Sequence, residues 1–185
     1  LVPSSKGDDY QRYNLKLKDG VDVVLGGGKR QFLPKDAGGE RTDGRNLITE
    51  MQKAGYRVVF DENQLSQVQL AKNEKLLGLF NNSHLNYDLD RTKKNLAEPS
   101  LKQMTLSALD ILTQNKKGFF LMVEGSKVDW AAHANDPIAM MTEFLAFDKA
   151  VGVAMEFARR NGNTTVIVLP DHGNSGFSIG RSNLK

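Results

Sequence analysis

The chain has 185 residues, of which 39 % are hydrophobic and 25 % are charged, a composition typical of a globular protein and not of a disordered or fibrous one. It has no cysteine and a formal net charge of +3, so disulfides, thiolate nucleophiles and sulfur ligands to a metal are excluded. The basic residues are scattered and do not alternate with aromatic residues, and no apolar run approaches the ~18 residues that cross a bilayer. We therefore expect neither a nucleic-acid partner nor a membrane span.

The first half of the chain is predicted to alternate strands with short helices. Runs of β-branched and other apolar residues predict three strands, at residues 21–25, 56–60 and 76–80. Helical start and stop signals predict two short helices, from Asn46 to Lys53 and at residues 63–69. The polar stretch 81–98 is expected to be an irregular, exposed excursion.

Three consecutive glycines, Gly26–Gly28, follow the first predicted strand. Backbone amides of such a run can approach a phosphate, but the run matches neither the dinucleotide-binding nor the P-loop pattern. The sequence therefore favours a tight turn over a phosphate-binding loop.

The second half of the chain predicts a parallel sheet covered by helices. A helix is predicted over residues 100–114, where apolar residues recur every three or four positions. The run 119–123 is apolar at every position, a pattern typical of a strand that is covered on both faces. A second helix, capped by Asp136 with Pro137 at its first position, connects this run to a similar one at 164–169. The order strand, helix, strand predicts a crossover between parallel strands, and so an α/β fold.

Both predicted strands of the second half end in side chains that can bind metals. Glu124 directly follows the first, Asp129 and His133 come shortly after, and Asp171 and His172 follow the second. Ligands of parallel α/β sheets collect at the carboxyl ends of the strands, and Asp129 and His133 share one face if that stretch is helical. Imidazole with carboxylate suits Zn²⁺, whereas oxygen ligands around Glu124 suit Mg²⁺. Together the five side chains indicate a metal site.

Several segments resemble the alkaline phosphatase family. The core of that family is similar to FFLMVEGSKVDWAAHANDP and to EFARRNGNTTVIVLPDHGNSG, and its upstream segments are similar to VDVVLGGGKRQFLP, DGRNLI and LLGLFNNSHLNYDLDR, in the same order. The resemblance covers nearly the whole chain. It implies an alkaline-phosphatase-like three-layer α/β/α sandwich with a mainly parallel sheet, incomplete here, in which residues 1–185 form one partial domain. It also implies a site with two zinc ions and one magnesium ion.

The same resemblance implies a role for each candidate ligand. In the order of the chain, Glu124 would bind magnesium, Asp129 and His133 would bind one zinc ion, and Asp171 and His172 would bind the other. The reaction would be attack of a serine on the phosphorus of a phosphate monoester, followed by hydrolysis of the phosphoseryl enzyme. Trp130 would lie at the substrate rim, where some relatives carry lysine or histidine, or else be a packing residue.

The resemblance implies that the serine nucleophile lies upstream of Leu1 and that the last zinc-binding histidine lies downstream of Lys185. We therefore expect no catalytic nucleophile in this chain and no turnover by the segment alone. Ser126 and Ser175 lie near the candidate ligands, but neither has a base partner evident in the sequence.

Two alternatives stay open: a non-catalytic metal-binding or assembly module, and a phosphodiesterase or sulfatase on the same scaffold. For the phosphatase we expect a small-molecule phosphate monoester as substrate, and the resemblance implies an extracytoplasmic location. An exposed sheet edge, left where further strands belong, would favour pairing between copies, so a homodimer is one expected state.

Overall fold

The computed structural model describes residues 20–70 and 74–174. The chain divides into two compact units, Leu1–Leu85 and Asn86–Lys185. Among the helices of the described ranges, none combines the length and the apolarity needed to cross a membrane.

The first unit contains a three-stranded parallel sheet in which β1 is Val23–Gly26, β2 is Tyr56–Val59 and β3 is Lys75–Leu79. The strand order is β1-β3-β2, and β3 pairs in parallel with both neighbours. The three strands predicted from the sequence are confirmed, with ends shifted by one or two residues. The parallel sheet and the α/β class are confirmed with them.

The central strand supplies the core of this unit. Leu76 and Leu77 on β3 are completely buried, because the strand is flanked on both edges and covered on both faces. Leu77 packs with Tyr56 and Leu79 in a cluster that is completed by five partly buried residues: Val24, Phe32, Ile48, Met51 and Val58. Burial of apolar side chains such as these stabilises a fold by ~1.5–3 kcal/mol each.

Two short helices of the first unit begin where the sequence carries capping residues. Helix α1 is Leu47–Lys53, and the Asn46 side chain accepts a hydrogen bond from the Thr49 amide. Helix α2 is Glu62–Ser66, and the Asp61 side chain accepts one from the Gln64 amide. Each cap satisfies a backbone donor that has no partner inside its helix.

The glycine run after β1 serves close backbone packing. A Cβ atom at Gly27 would lie 2.3 Å from the Ser83 carbonyl oxygen and 3.1 Å from the Leu85 amide nitrogen. Gly28 has a left-handed φ of 82° and donates its amide to the Ser83 carbonyl. Because the Gly28 amide is bonded to the protein's own backbone and Gly27 packs closely against the same segment, the structure agrees with the tight turn and not with a phosphate loop.

The second unit contains four helices in the described residues: α3 is Asp88–Lys93, α4 is Leu101–Leu112, α5 is Ser126–His133 and α6 is Pro137–Asn161. Helix α6 packs against the other three. The predicted helices around α4 and α6 are confirmed, together with the cap at Asp136, whose carboxylate accepts the amides of Ile138 and Ala139. Ser100 and Gln103 form a capping box at the start of α4.

The stretch 81–98, expected to be an irregular and exposed excursion, is more ordered than that. It contains α3, and Glu98 near its end is only 5 % exposed. The Glu98 carboxylate accepts hydrogen bonds of 2.9 and 2.7 Å from the backbone and side-chain nitrogens of Asn86. A buried carboxylate is tolerated here because it is hydrogen-bonded.

The two strands predicted in the second unit do not form. Residues 119–123 and 164–169 have neither strand nor helix structure, and their large side chains are exposed, with Phe120 at 87 % and Ile167 at 75 %. A strand needs neighbours to accept its backbone hydrogen bonds, and the described part of this unit contains no strand to supply them. The predicted crossover of parallel strands is therefore wrong for the described residues.

Candidate metal centre

Helix α5 carries the first pair of candidate ligands on one face. Asp129 and His133 are four residues apart in the helix, and Oδ1 of Asp129 lies 3.4 Å from Nε2 of His133. The helix approaches α6 closely at its start, because a Cβ atom at Gly125 would lie 2.8 Å from the Phe147 ring. Ala131 is buried on the same helix. A glycine and a small residue thus set the position of the helix that presents the pair.

The end of the second apolar run brings in another imidazole. Nε2 of His172 lies 3.5 Å from Oδ1 of Asp129, and the His133 and His172 rings are 6.2 Å apart at 55°. Asp171 lies 3.6 Å from His172 through its Oδ2, and its side chain is 88 % exposed. The structure therefore places both predicted pairs in one neighbourhood, with the Asp129 carboxylate between the two imidazoles.

Each imidazole lies about as far from the Asp129 oxygen as two ligands of one cation lie from each other. Distances of 3.4 and 3.5 Å are longer than strong N–H···O hydrogen bonds, which measure ~2.7–3.2 Å. Two ligands about 2.0–2.1 Å from a tetrahedral zinc ion stand about 3.3–3.4 Å apart. The chemistry of the donor set, one carboxylate and two imidazoles, fits zinc as well.

The cluster is nevertheless not a finished metal site. Across residues 20–70 and 74–174, no three histidine or acidic side chains close around a common point. Glu124, the predicted magnesium ligand, lies just before Gly125 with an exposed side chain. Its contacts within the described residues do not include Asp129, His133 or His172, so its role stays a prediction.

Asn174 joins the cluster without having been predicted. Its side-chain nitrogen donates to Oδ1 of Asp129 at 3.1 Å and contacts the Asp129 carbonyl oxygen at 3.4 Å. Hydrogen bonds of this kind orient the carboxylates that bind metals. No periodicity or motif marks Asn174 in the sequence, because the contact joins positions that are 45 residues apart.

Comparison with known proteins identifies the family. The family model described as alkaline phosphatase matches residues 3–184. The chain belongs to the alkaline phosphatase family. It is 45 % identical over 178 residues to alkaline phosphatase 4 of Bacillus subtilis, and the matched region covers 96 % of this chain and 36 % of that protein. It is 37 % identical over 175 residues to the alkaline phosphatase of Escherichia coli, and the matched region covers 84 % of this chain and 37 % of that protein.

Solved alkaline phosphatases share the fold. The crystal structure of the Thermus thermophilus enzyme matches with a TM-score of 0.70 and 37 % identity, over 77 % of this chain and 28 % of that one. A variant of the alkaline phosphatase from the Antarctic bacterium TAB5, solved with Mg bound, matches with a TM-score of 0.60 and 25 % identity, over 77 % of this chain and 38 % of that one. The alkaline-phosphatase-like α/β fold and the family resemblance are confirmed. The chain spans about a third of the length of the curated relatives named here.

Trp130, predicted at the substrate rim of the alkaline phosphatase site, directly follows Asp129 on α5 and is 42 % exposed. Its ring is not simply solvated, because the ammonium of Lys127 lies 3.9 Å from its centre. Burial lowers the pKa of Lys127, and the negative charges of Glu143 and Glu98 oppose that shift. The side chain thus makes a packing contact, and its position at a substrate rim stays a prediction.

Proposed function

We propose that this chain is the metal-binding segment of a phosphate monoester hydrolase of the alkaline phosphatase type. The observation that carries the proposal is the meeting of His133 and His172 at one oxygen of Asp129, at 3.4 and 3.5 Å. Those residues come from segments about 40 positions apart, and such convergence of acid and imidazole is typical of a zinc site. Membership of the alkaline phosphatase family supports the reaction class.

The proposed centre holds two zinc ions and one magnesium ion, as the family resemblance implies. Asp129 and His133 would hold one zinc ion, Asp171 and His172 the other, and Glu124 the magnesium ion. When bound, zinc ions favour the ionised form of a hydroxyl nucleophile and stabilise the charge that develops on the attacking and leaving oxygens.

The chain's own side chains supply the binding and the orientation. The Asp129 carboxylate offers negative charge between two imidazoles, and the Asn174 amide fixes the direction of that carboxylate. The His133 and Asp171 side chains are 67 % and 88 % exposed in the described residues, so their ligand atoms can accept a metal ion from water.

The nucleophile is proposed to be a serine that this chain does not contain, and it would form a phosphoserine intermediate. Ser126 begins α5, and within the described residues its hydroxyl is bonded to no histidine or carboxylate that could act as a general base. Ser175 lies outside the described residues.

The parent protein is proposed to act outside the cytoplasm and to pair as a homodimer, on the strength of family membership.

Zinc affinity tests the ligand assignment. We expect Asp129→Asn to weaken zinc binding by at least about tenfold, since even residues that only orient ligands contribute ~10–100-fold. Competition against a chromogenic chelator measures the affinity. Asp148→Asn is the matched control, because Asp148 is exposed on α6 and has no ion pair or hydrogen bond in the described residues. Equal zinc affinity in the two variants would contradict the assignment.

Turnover tests the reaction class. The 185-residue chain, loaded with zinc and magnesium, is expected to leave p-nitrophenyl phosphate unhydrolysed above the background of the metals alone. The parent protein is expected to hydrolyse this monoester faster than bis(p-nitrophenyl) phosphate or p-nitrophenyl sulfate. Preference for the diester or the sulfate would select the phosphodiesterase or sulfatase alternative, and a parent protein that binds zinc without hydrolysing any of the three would favour the non-catalytic module.

A further inference from the structure

Lys127 lies between two aromatic rings beside the candidate metal centre. Its ammonium nitrogen is 3.9 Å from the centre of the Trp130 ring and 4.6 Å from the centre of the Tyr87 ring. Both distances are well inside the ~6 Å within which a cation is attracted to the face of an aromatic ring. Lys127 and Trp130 are three residues apart on α5, so they share one face of that helix.

The Tyr87 ring belongs to a segment that is anchored independently. The backbone amide of Asp88 donates to the Glu143 carboxylate on α6, and the Asp88 carboxylate pairs with Arg91 at 2.7 Å. The position of Tyr87 is therefore fixed independently of Lys127, because the neighbouring residue Asp88 is hydrogen-bonded to α6. Lys127 connects this anchored ring to the tryptophan of α5.

The stack determines where the indole can lie. Trp130 is adjacent to Asp129, whose carboxylate joins the two imidazoles, and 42 % of its surface is exposed. The contact with the ammonium favours the indole rotamers that keep the ring face toward Lys127.

We propose that Lys127 is a positioning residue. Its ammonium contacts the rings of both Trp130 and Tyr87, and since Tyr87 is anchored, this double contact holds the Trp130 ring in a fixed orientation at the rim of the metal centre. The fixed ring then meets the alcohol part of a phosphate monoester, a consequence that rests on the proposed function. Lys127 acts through Trp130 and does not itself touch the substrate.

Tryptophan fluorescence tests the positioning directly, since Trp130 is the one tryptophan in the chain. We expect Lys127→Met, which keeps the length of the side chain and removes its charge, to raise the acrylamide quenching constant of Trp130 about twofold, because the attraction between the ammonium and the ring face that restrains the ring is lost. Lys127→Arg should retain the wild-type value, since arginine also binds aromatic faces. Lys149→Met on α6 is the matched control and should change nothing, because Lys149 is exposed and outside the stack.

A second variant keeps the test decisive if Lys127→Met does not fold. Tyr87→Leu removes the other ring and should raise the quenching constant in the same direction, whereas Tyr87→Phe should not, because the phenyl face remains. Circular dichroism establishes that each variant is folded. Quenching that is unchanged in both Lys127→Met and Tyr87→Leu, or changed equally in Lys149→Met, would overturn the positioning role.

Kinetics of the metal-loaded parent protein test the consequence for the substrate. We expect Lys127→Met to raise KM for p-nitrophenyl phosphate by about three- to tenfold with kcat changed less than about twofold, as is expected when uniform substrate binding is lost. Lys127→Arg should restore KM. An unchanged KM would overturn the contact between Trp130 and the ester. A parent protein without phosphatase activity would overturn the proposed function and leave the fluorescence result to decide the role of Lys127.

Discussion

The two compact units treat similar apolar runs in opposite ways. In the first unit, the run Lys75–Leu79 is the central strand β3, and Leu77 is completely buried. In the second unit, the run 119–123 is apolar at every position, yet it has no strand structure, and Phe120 is 87 % exposed. The difference lies in the neighbours: β3 is bonded on both edges by β1 and β2, whereas the second run has no partner strand among the described residues.

Helices do not depend on neighbours in this way. A helix satisfies its backbone groups within its own sequence, and only its ends need capping. In the second unit α4 and α6 are therefore complete, with Ser100 and Asp136 at their starts, although the runs beside them remain unpaired. An all-apolar run indicates that a segment is suited to be a strand covered on both faces. The neighbouring strands and helices that would pair with it and cover it must come from other segments.

The largest effect should come from removing a side chain that the sheet covers. Leu77→Ala is expected to lower the free energy of unfolding by ~2–5 kcal/mol, because a completely buried leucine loses its burial and leaves a cavity. Urea denaturation followed by far-UV circular dichroism measures the change.

The matched variant in the other unit is Ile167→Ala. Ile167 is 75 % exposed, so its truncation should change the free energy of unfolding by less than ~0.5 kcal/mol. If Ile167→Ala costs as much as Leu77→Ala, the run 164–169 is covered in solution and the contrast between the units is wrong. Sedimentation of the same samples would then show whether a second copy supplies the cover.

A smaller effect is expected at the glycine run of the first unit. Gly27→Ala should destabilise by ~1–3 kcal/mol, because the added Cβ meets the Ser83 carbonyl oxygen at 2.3 Å and backbone has to move. Gly26→Ala is the control next to it, since a Cβ atom there meets nothing within 4 Å. Thermal unfolding compares the two, and equal melting temperatures would mean that the turn is not packed against residues 81–85.

Local signals account for what the sequence predicted well. The caps at Asn46, Ser100 and Asp136 lie within three residues of the amides that they bind, and β1 to β3 lie in runs of β-branched and apolar residues between turn residues. Helix α3 was missed because its six residues, Asp88–Lys93, are mostly charged and have no apolar periodicity. Its first amide is bonded to Glu143, 55 residues away.

The same distinction holds for the candidate site. The spacing of Asp129 and His133 on one helix was readable, because it depends on helical periodicity alone. The contact of Asn174 with Asp129 and the stack of Tyr87 on Lys127 were not readable, because each joins positions 40 or more residues apart. Contacts of this range depend on how the helices pack, and single-sequence patterns do not report that packing.

The open character of the second unit should make one glycine replaceable. Gly152 lies in the interior of α6, its surface is exposed, and a Cβ atom there meets nothing within 4 Å. Gly152→Ala is expected to stabilise the protein by ~0.5–1 kcal/mol, because alanine loses less backbone entropy than glycine in a helix. Chemical denaturation measures this gain, which has the opposite sign to the effect of Gly27→Ala. A loss of stability would show that this face of α6 is covered in solution.

The smallest effect concerns Glu143, an acid of the second unit whose pKa is raised by burial. Desolvation raises the pKa of Glu143 above 4.5, and the negative charge of Asp88 raises it further. The hydrogen bond from the Asp88 amide and the positive charges of Lys127 and Arg91 oppose this shift. A group that binds its proton more tightly in the folded state stabilises the fold fully below its unfolded pKa, and that stabilisation is lost as pH rises through its folded pKa. We therefore expect the Glu143 contribution to the free energy of unfolding to fall as pH rises from about 4.5. Glu143→Gln, whose amide oxygen can still accept from Asp88, should remove this fall. Asp148→Asn changes an exposed acid of the same helix and is the control, which should leave the fall in place. Urea denaturation at a series of pH values compares the slopes, and a Glu143→Gln slope equal to that of the unchanged protein would mean that Glu143 is solvated in solution.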